Sequence, residues 1–295
     1  MQKWFAVPVL ALLFALLFAA ACGDAPATRA GAAPAGTERA PRRDAAPSAV
    51  PYRLAAPDAV VRLPAALREI SGLTALGNGN LAAVQDEAGT LFELDPATGA
   101  VVSRRDFRTR GDFEGVERVG TDLWALEANG DLTRLRPAGR AFDVEQFETG
   151  LAGRNDAEGL GYDAAENRLL IACKESPGQG LGDVRAVYAF DLDTNTLSDA
   201  PVFTLDRARV DDADPFKPSA IAVRPGTGEI YVLSSVRKAV AVLDRRGALL
   251  TVVDLPTSLY AQPEGIAFAP DGTLFISNEG PDGPATLLRF DPTDR

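Results

Sequence analysis

Gln262 to Gly280 reads Q-P-E-G-I-A-F-A-P-D-G-T-L-F-I-S-N-E-G. An apolar run, Ile266 to Ala269, meets Pro270-Asp271-Gly272, whose residues supply the fixed φ and the positive φ of a tight reversal; a second run returns as Leu274 to Ser277. This predicts a β-hairpin with polar groups at both open ends. Related segments begin at Glu69 (E-I-S-G), Asp112 (D-F-E-G), Asp156 (D-A-E-G) and Lys217 (K-P-S-A), each followed by two predicted strands. With Gly72, Gly115, Gly159, Ala220 and Gly265 as phase markers, the spacings are 43, 44, 61 and 45 residues. Four-strand units repeating every 40 to 50 residues or so predict an all-β fold, a single β-propeller.

A third strand is expected in each unit, at Thr90 to Asp95, Asp131 to Arg136, Ala186 to Asp191, Ala239 to Asp244 and Thr286 to Asp291. A fourth follows in four units, at Ala100 to Phe107, Phe142 to Thr149, Leu197 to Leu205 and Leu249 to Leu255. The last unit has no room for one before Arg295. V-V-R-L-P at Val60 to Pro64 resembles V-V-D-L-P at Val252 to Pro256, itself a predicted fourth strand, so an N-terminal strand is expected to complete the last blade and remove two open sheet edges. Five blades of four antiparallel strands result, with six as the alternative.

Met1 to Ala21 combines Lys3, an apolar run from Trp4 to Phe18 and three alanines before Cys22, and so resembles a bacterial lipoprotein signal peptide with lipidation at Cys22. An ordinary cleaved signal or an uncleaved membrane anchor are the alternatives. Residues 22–50, rich in Ala, Pro, Thr, Gly and Arg, are expected to be a disordered tether, and residues 51–295 the propeller domain. The expected location is the cell membrane or outer membrane, lipid-anchored and facing the periplasm or the exterior.

The chain carries a net charge of −11; Lys3 and the tether contribute two positive charges, so the domain itself carries −13. Nucleic acid is a poor partner for such a surface. The absence of histidine excludes Ser-His-Asp, Cys-His and His-ligated metal chemistry. Cys173, in the apolar run L-L-I-A-C, reads as a buried small hydrophobe.

Two segments exceed the repeat, Ser176 to Arg185 and Arg207 to Phe216, and connectivity puts both as loops at one mouth of the propeller. The same mouth gathers the repeated polar positions. Glu69, Asp112, Glu114, Asp156, Glu158 and Glu264 come from the starts of first strands; Asp86, Glu87, Glu127, Glu175 and Glu279 come from the ends of second strands. In D-F-E-G and D-A-E-G the two acids are two residues apart and would share a side of an extended strand. So many carboxylates near only Lys174 and Lys217 call for water, raised pKa values or a bound cation. Glu114, Glu158 and Glu264, with Glu127, Glu175 and Glu279 nearby, are the candidate ligands of a metal, calcium for an all-oxygen set. Asp112, Asp156, Lys217, Ser219 and Gln262 are candidates for binding another ligand. The alternative is that these acids are local turn caps.

The runs E-I-S-G-L-T, D-F-E-G-V, N-D-A-E-G-L, K-P-S-A-I-A-V-R-P-G-T-G-E-I-Y-V-L-S-S and Q-P-E-G-I-A-F-A-P-D-G-T-L-F-I-S-N-E resemble the SdiA-regulated (YjiK-like) family over Glu69 to Pro292. The resemblance implies a β-propeller, often anchored in the envelope, with no catalytic residues to carry over. More loosely, the E-G hairpins resemble propellers with metal-dependent phytase, esterase or lactonase activity. The expected function is a monomeric ligand- or cation-binding module, with a small molecule or protein as ligand. The alternatives are a metal-dependent hydrolase with Glu158 as base, and a protein scaffold.

Overall fold

The computed structural model describes residues 50–108, 110–151 and 153–293; the predicted signal segment, Cys22 and the predicted tether up to residue 49 lie outside the described residues. In chain order, β1 is Ala59–Arg62, and blade one is β2 (Ile70–Ala75), β3 (Leu81–Gln85), β4 (Ala88–Leu94) and β5 (Val101–Asp106). Blade two is β6 (Phe113–Val119), β7 (Asp122–Glu127), β8 (Leu132–Ala138) and β9 (Ala141–Phe147). Blade three is β10 (Ala157–Asp163), β11 (Arg168–Cys173), β12 (Val184–Asp191), β13 (Thr196–Leu197) and β14 (Phe203–Asp206). Blade four is β15 (Pro218–Val223), β16 (Ile230–Ser234), β17 (Ala239–Leu243) and β18 (Leu249–Asp254); β19 (Pro263–Phe268), β20 (Leu274–Asn278) and β21 (Thr286–Phe290) begin blade five. β1 completes it, pairing antiparallel with β21 from Ala59 opposite Arg289 to Arg62 opposite Thr286. The protein is a five-bladed β-propeller, and the ring closes as its N-terminal strand predicted.

Burial follows strand position. The inner and second strands are almost wholly buried, as in β19 and β20, whereas the outermost alternate between exposed and partly covered, as in β5 and β18. Apolar side chains fill the wedges between neighbouring blades; Trp124, Phe147 and Phe190 pack together there, with Trp124 and Phe147 centroids 5.2 Å apart. The Pro270-Asp271-Gly272 reversal forms as expected, with Gly272 at φ 86° and the Thr273 amide bonded to the Asp271 carboxylate.

Each inner strand carries a β-bulge at the same phase. Register shifts between Ile70 and Gly72, Phe113 and Gly115, Ala157 and Gly159, Pro218 and Ala220, and Pro263 and Gly265. The extra residues are Ser71, Glu114, Glu158, Ser219 and Glu264. The residue after each bulge faces the neighbouring blade at close range. A Cβ on Gly72 would lie 2.7 Å from the Val116 amide nitrogen, and one on Gly115 would lie 2.7 Å from the Leu160 Cβ. Bulge and glycine together let five inner strands converge on one axis.

Blade three departs from the predicted single fourth strand. β13 pairs with Phe190 and Asp191 and β14 with Val184–Val187; the Ser198 and Val202 amides still donate to the Ala189 and Val187 carbonyls, so residues 199–201 leave the ladder. Pro201 has no amide to give to a ladder, and the Ser198 hydroxyl accepts from the Ala189 amide at 3.2 Å in place of a strand carbonyl. The two long loops do lie together, with Arg207 paired to Asp183 at 2.6 Å. The second contains a short helix, α1 (Arg207–Val210), whose Asp206 cap accepts from the Ala208 amide.

Ahead of β1, Val50, Tyr52 and Leu54 are buried in the core shared by blades four and five. The Tyr52 ring packs against Tyr231 and Phe268, and its hydroxyl donates to the Gly272 carbonyl at 2.7 Å. Tyr260 donates to the Leu54 carbonyl at 2.8 Å. This strap extends the closure beyond β1. Tyr52→Ala is expected to cost about 3–5 kcal/mol by emptying a packed aromatic site, and Tyr52→Phe about 1–3 kcal/mol for the hydroxyl that donates to Gly272 and accepts from the Arg224 guanidinium at 3.2 Å. Urea denaturation of both variants measures this; equal, small losses would mean the strap does not hold the ring.

Candidate functional site

The upper face of the ring, where the inner strands begin, is built by the bulges. In blades one and four the bulge residue is serine: the Ser71 hydroxyl donates to the Phe113 carbonyl at 2.6 Å and the Ser219 hydroxyl to the Pro263 carbonyl at 3.0 Å, each tying its blade to the next. In blades two, three and five it is Glu114, Glu158 or Glu264. Glu158 and Glu264 are 6% and 8% exposed, so these carboxyls lie inside the ring rather than on its rim.

One ammonium stands among them. Lys174, directly after β11, forms an ion pair with Glu158. Burial alone would lower its pKa, but Glu158, Glu264 and Asp156 outweigh it and keep the ammonium charged. Arg185, itself buried, holds the segment in place by donating to the carbonyls of Phe216 at 2.6 Å and Lys174 at 3.1 Å, which joins both long loops to the end of β11.

The carboxyls are pushed the other way. Burial, then Glu158 and a hydrogen bond with Asp112, raises Glu114 to about 9. Burial, then Glu264 and Asp86, raises Glu279 to about 8. Burial also raises Glu158 against the pull of Lys174, and Glu264 against Lys174 and hydrogen bonds with Ser235, Gln262 and Ser219. Burial and mutual repulsion thus raise all four carboxyls, and the Lys174 ammonium opposes the rise at Glu158, Glu264 and Glu279.

Of the six glutamates expected to bind a cation, the ring brings Glu114, Glu158, Glu264 and Glu279 together. It draws off the other two: Glu127 is paired with Arg108 and Glu175 with Lys217. Among the described residues no three acidic, histidine or cysteine side chains are grouped to hold a metal ion. Of the other candidates, Gln262 donates to Glu279 and Ser219 to the Pro263 carbonyl, and both also hydrogen-bond Glu264, so both brace the ring. Asp112 is exposed at the rim. Asp156 has φ 52°, which, with the bulge that follows, breaks the alternation that had put the paired acids on one side of a strand. Asp86 reaches the mouth as well, its pKa raised by burial and by Glu69, Glu87 and Asp112, and its Oδ1 is buried without a hydrogen bond.

Two features escaped the sequence. Arg108 enters from the exit of an outer strand, outside the repeated phase. The bulge had a signal, a glycine inside each strand pattern, which also admits a plain turn cap.

The SdiA-regulated family model matches residues 53–288. The chain belongs to the SdiA-regulated family. No curated protein matches the sequence. Among solved structures, this SdiA-regulated chain is similar to Myxococcus xanthus glutaminyl cyclase at 16% identity and TM-score 0.58, covering 81% of this chain and 97% of that one. It is also similar to a luciferin-regenerating enzyme (14%, TM-score 0.49, 81% and 96% covered) and to a Xanthomonas campestris gluconolactonase (15%, TM-score 0.46, 72% and 69% covered). At these identities the likeness is one of fold.

A carboxyl whose folded pKa exceeds its unfolded value contributes stability that is full below the unfolded value and lost as pH rises through the folded one. Glu114, raised from 4.5 to about 9, therefore predicts a melting temperature that falls from about pH 5 to about pH 9. Glu114→Gln should flatten that fall and melt several degrees higher than wild type at the alkaline end. Calorimetric melts across pH test this; an unchanged slope would mean that Glu114 ionises freely.

Proposed function

We propose that this SdiA-regulated propeller is a lipid-anchored module of the bacterial envelope that binds a cationic ligand at its upper mouth. One observation carries the reading: burial and mutual repulsion push up Glu114, Glu158, Glu264 and Glu279, from three blades, and the Lys174 ammonium opposes this at the last three but not at Glu114. Buried carboxyls that retain protons for want of positive charge gain free energy when more arrives. The exclusively oxygen donors favour calcium among metals. The set as it stands is closed on Lys174, so a divalent ion requires that ammonium to swing out and the carboxyls to release their protons. A binding role is preferred to hydrolysis because Glu158, the expected base, is buried and paired with Lys174. The acidic domain and its expected tether suit a monomer held off the membrane by acylated Cys22, facing the periplasm or the exterior.

If calcium binds the folded form alone, a hundredfold excess over Kd stabilises it by about 2.7 kcal/mol. Lys174→Met, which removes the resident cation, should strengthen the calcium effect, and Glu264→Gln should weaken it. Melting curves with millimolar calcium and with chelator provide the test. Superimposable curves in both wild type and Lys174→Met would sink the cation reading.

Anchoring is tested separately by fatty-acid labelling of the mature protein. Wild type should carry acyl label that Cys22→Ser lacks, and label retained in that variant would place the anchor elsewhere.

A further inference from the structure

At the lower end of the axis, where the inner strands finish, the ring opens into a cavity of about 490 Å3. Thr74, Glu117, Tyr162, Ala222 and Ala267, one from each blade, line it. Each follows its blade's bulge residue by three or four positions, so the cavity is separate from the acidic mouth. Its volume falls within the roughly 300–1,000 Å3 of small-molecule sites.

The two sides of the axis differ in chemistry. Blades one and three flank blade two in the ring, and both give hydrogen bonds to its Glu117. The Glu117 Oε1 accepts from the Thr74 hydroxyl at 2.6 Å and from the Arg118 amide at 2.7 Å, and the Tyr162 amide also bonds the carboxyl. Blades four and five stand across the axis from blade two. Their inner strands give the wall only apolar residues, Ala222 and Val223 from β15 and Ala267 and Phe268 from β19.

All three donors to Glu117 are neutral. The adjacent Arg118 guanidinium is turned to carbonyls, Nε to Ala75 at 3.1 Å and Nη1 to Gly120 at 2.8 Å, and its charge acts on Glu117 less than any of the three hydrogen bonds does. Burial outweighs them all and raises the Glu117 pKa to about 7. The other charges facing the cavity are matched or in water. Asp163 is paired with Arg168 at 3.0 Å and Arg224 with Glu229 at 3.2 Å, while Glu166 and Arg245 are exposed on the rim. The Tyr162 hydroxyl donates to the Asn167 side-chain oxygen at 3.2 Å, and burial pushes its pKa up, further from neutral.

The geometry points to this lower cavity as a binding site for a primary alkylamine, whose ammonium meets Glu117 and whose apolar chain crosses the axis to lie against the inner strands of blades four and five. An ammonium supplies the opposite charge that the neutral donors of Glu117 lack, in a charge-assisted bond. Each methylene buried on the far wall strengthens binding about threefold to fourfold.

Calorimetric titration of the full chain with hexylamine, 1-hexanol, hexanoate and methylamine tests the site. Hexylamine should bind saturably, and hexanol and hexanoate at least about tenfold more weakly for want of the charge-assisted bond. Methylamine, which has no chain to bury, should be weaker still than hexylamine by severalfold for each methylene removed. Because the ionised carboxylate is what attracts the ammonium, hexylamine affinity should rise about tenfold from pH 6 to pH 8, the amine itself staying protonated throughout as a lysine does. Glu117→Gln, whose side-chain oxygen can still accept from Thr74, should bind hexylamine no better than hexanol. Glu264→Gln, in the upper mouth, should bind hexylamine as wild type does, so failure of the cation site and failure of this one are distinguishable. The amine and alcohol comparison on wild type decides the outcome even where Glu117→Gln fails to fold. Absence of saturable hexylamine binding, hexanol binding as tight as hexylamine, undiminished hexylamine binding in folded Glu117→Gln, or its loss in Glu264→Gln would each overturn the inference.

Discussion

Five inner strands can surround one axis only if something gives way where they meet, and here it is the Cβ of the residue after each bulge. Gly72 abuts the backbone of Gly115 and Val116, and Gly115 abuts Leu160. A side chain at either position would push a whole blade outward, because each inner strand is buried between its neighbours and packed interiors do not yield by an ångström. Ala220 marks the one blade where a methyl fits.

The chemistry of the upper mouth follows from that contact. A bulge inserts one residue, and here that residue is the polar one. Where it is serine, the hydroxyl closes the gap to the next blade; where it is glutamate, a carboxyl is delivered into a space too dry for it. The fold's geometric requirement and the site's electrostatic strain thus originate at the same five positions. Lys174 relieves part of the strain, and Arg185, by fixing the backbone beside it, keeps that relief in place.

The architecture was legible because a propeller writes its period into the chain. E-G hairpins at near-constant spacing expose the blades, and the likeness of Val60–Pro64 to Val252–Pro256 exposes the closing strand. What stayed hidden depends on neighbours distant in sequence. The break in the ladder after Ser198 goes with a serine hydroxyl replacing a carbonyl, which no run of apolar residues signals. Glu127 and Glu175 look as available as Glu114 until Arg108 and Lys217 arrive from other strands. Thr74 and Glu117 are unremarkable in a linear reading, and only the convergence of five strand ends makes them part of one wall.

The offset closure also orders assembly in time. Blades one to four are contiguous stretches, each able to pair as it emerges during synthesis. The fifth joins Ala59 to Arg289, almost the full length of the domain, and bringing such ends together costs roughly 5 kcal/mol in chain entropy beyond a constant. Local pairing therefore comes first and the clasp last. Until β21 pairs, β1 and β20 are open edges, so the chain is most exposed to misassociation before that strand is in place.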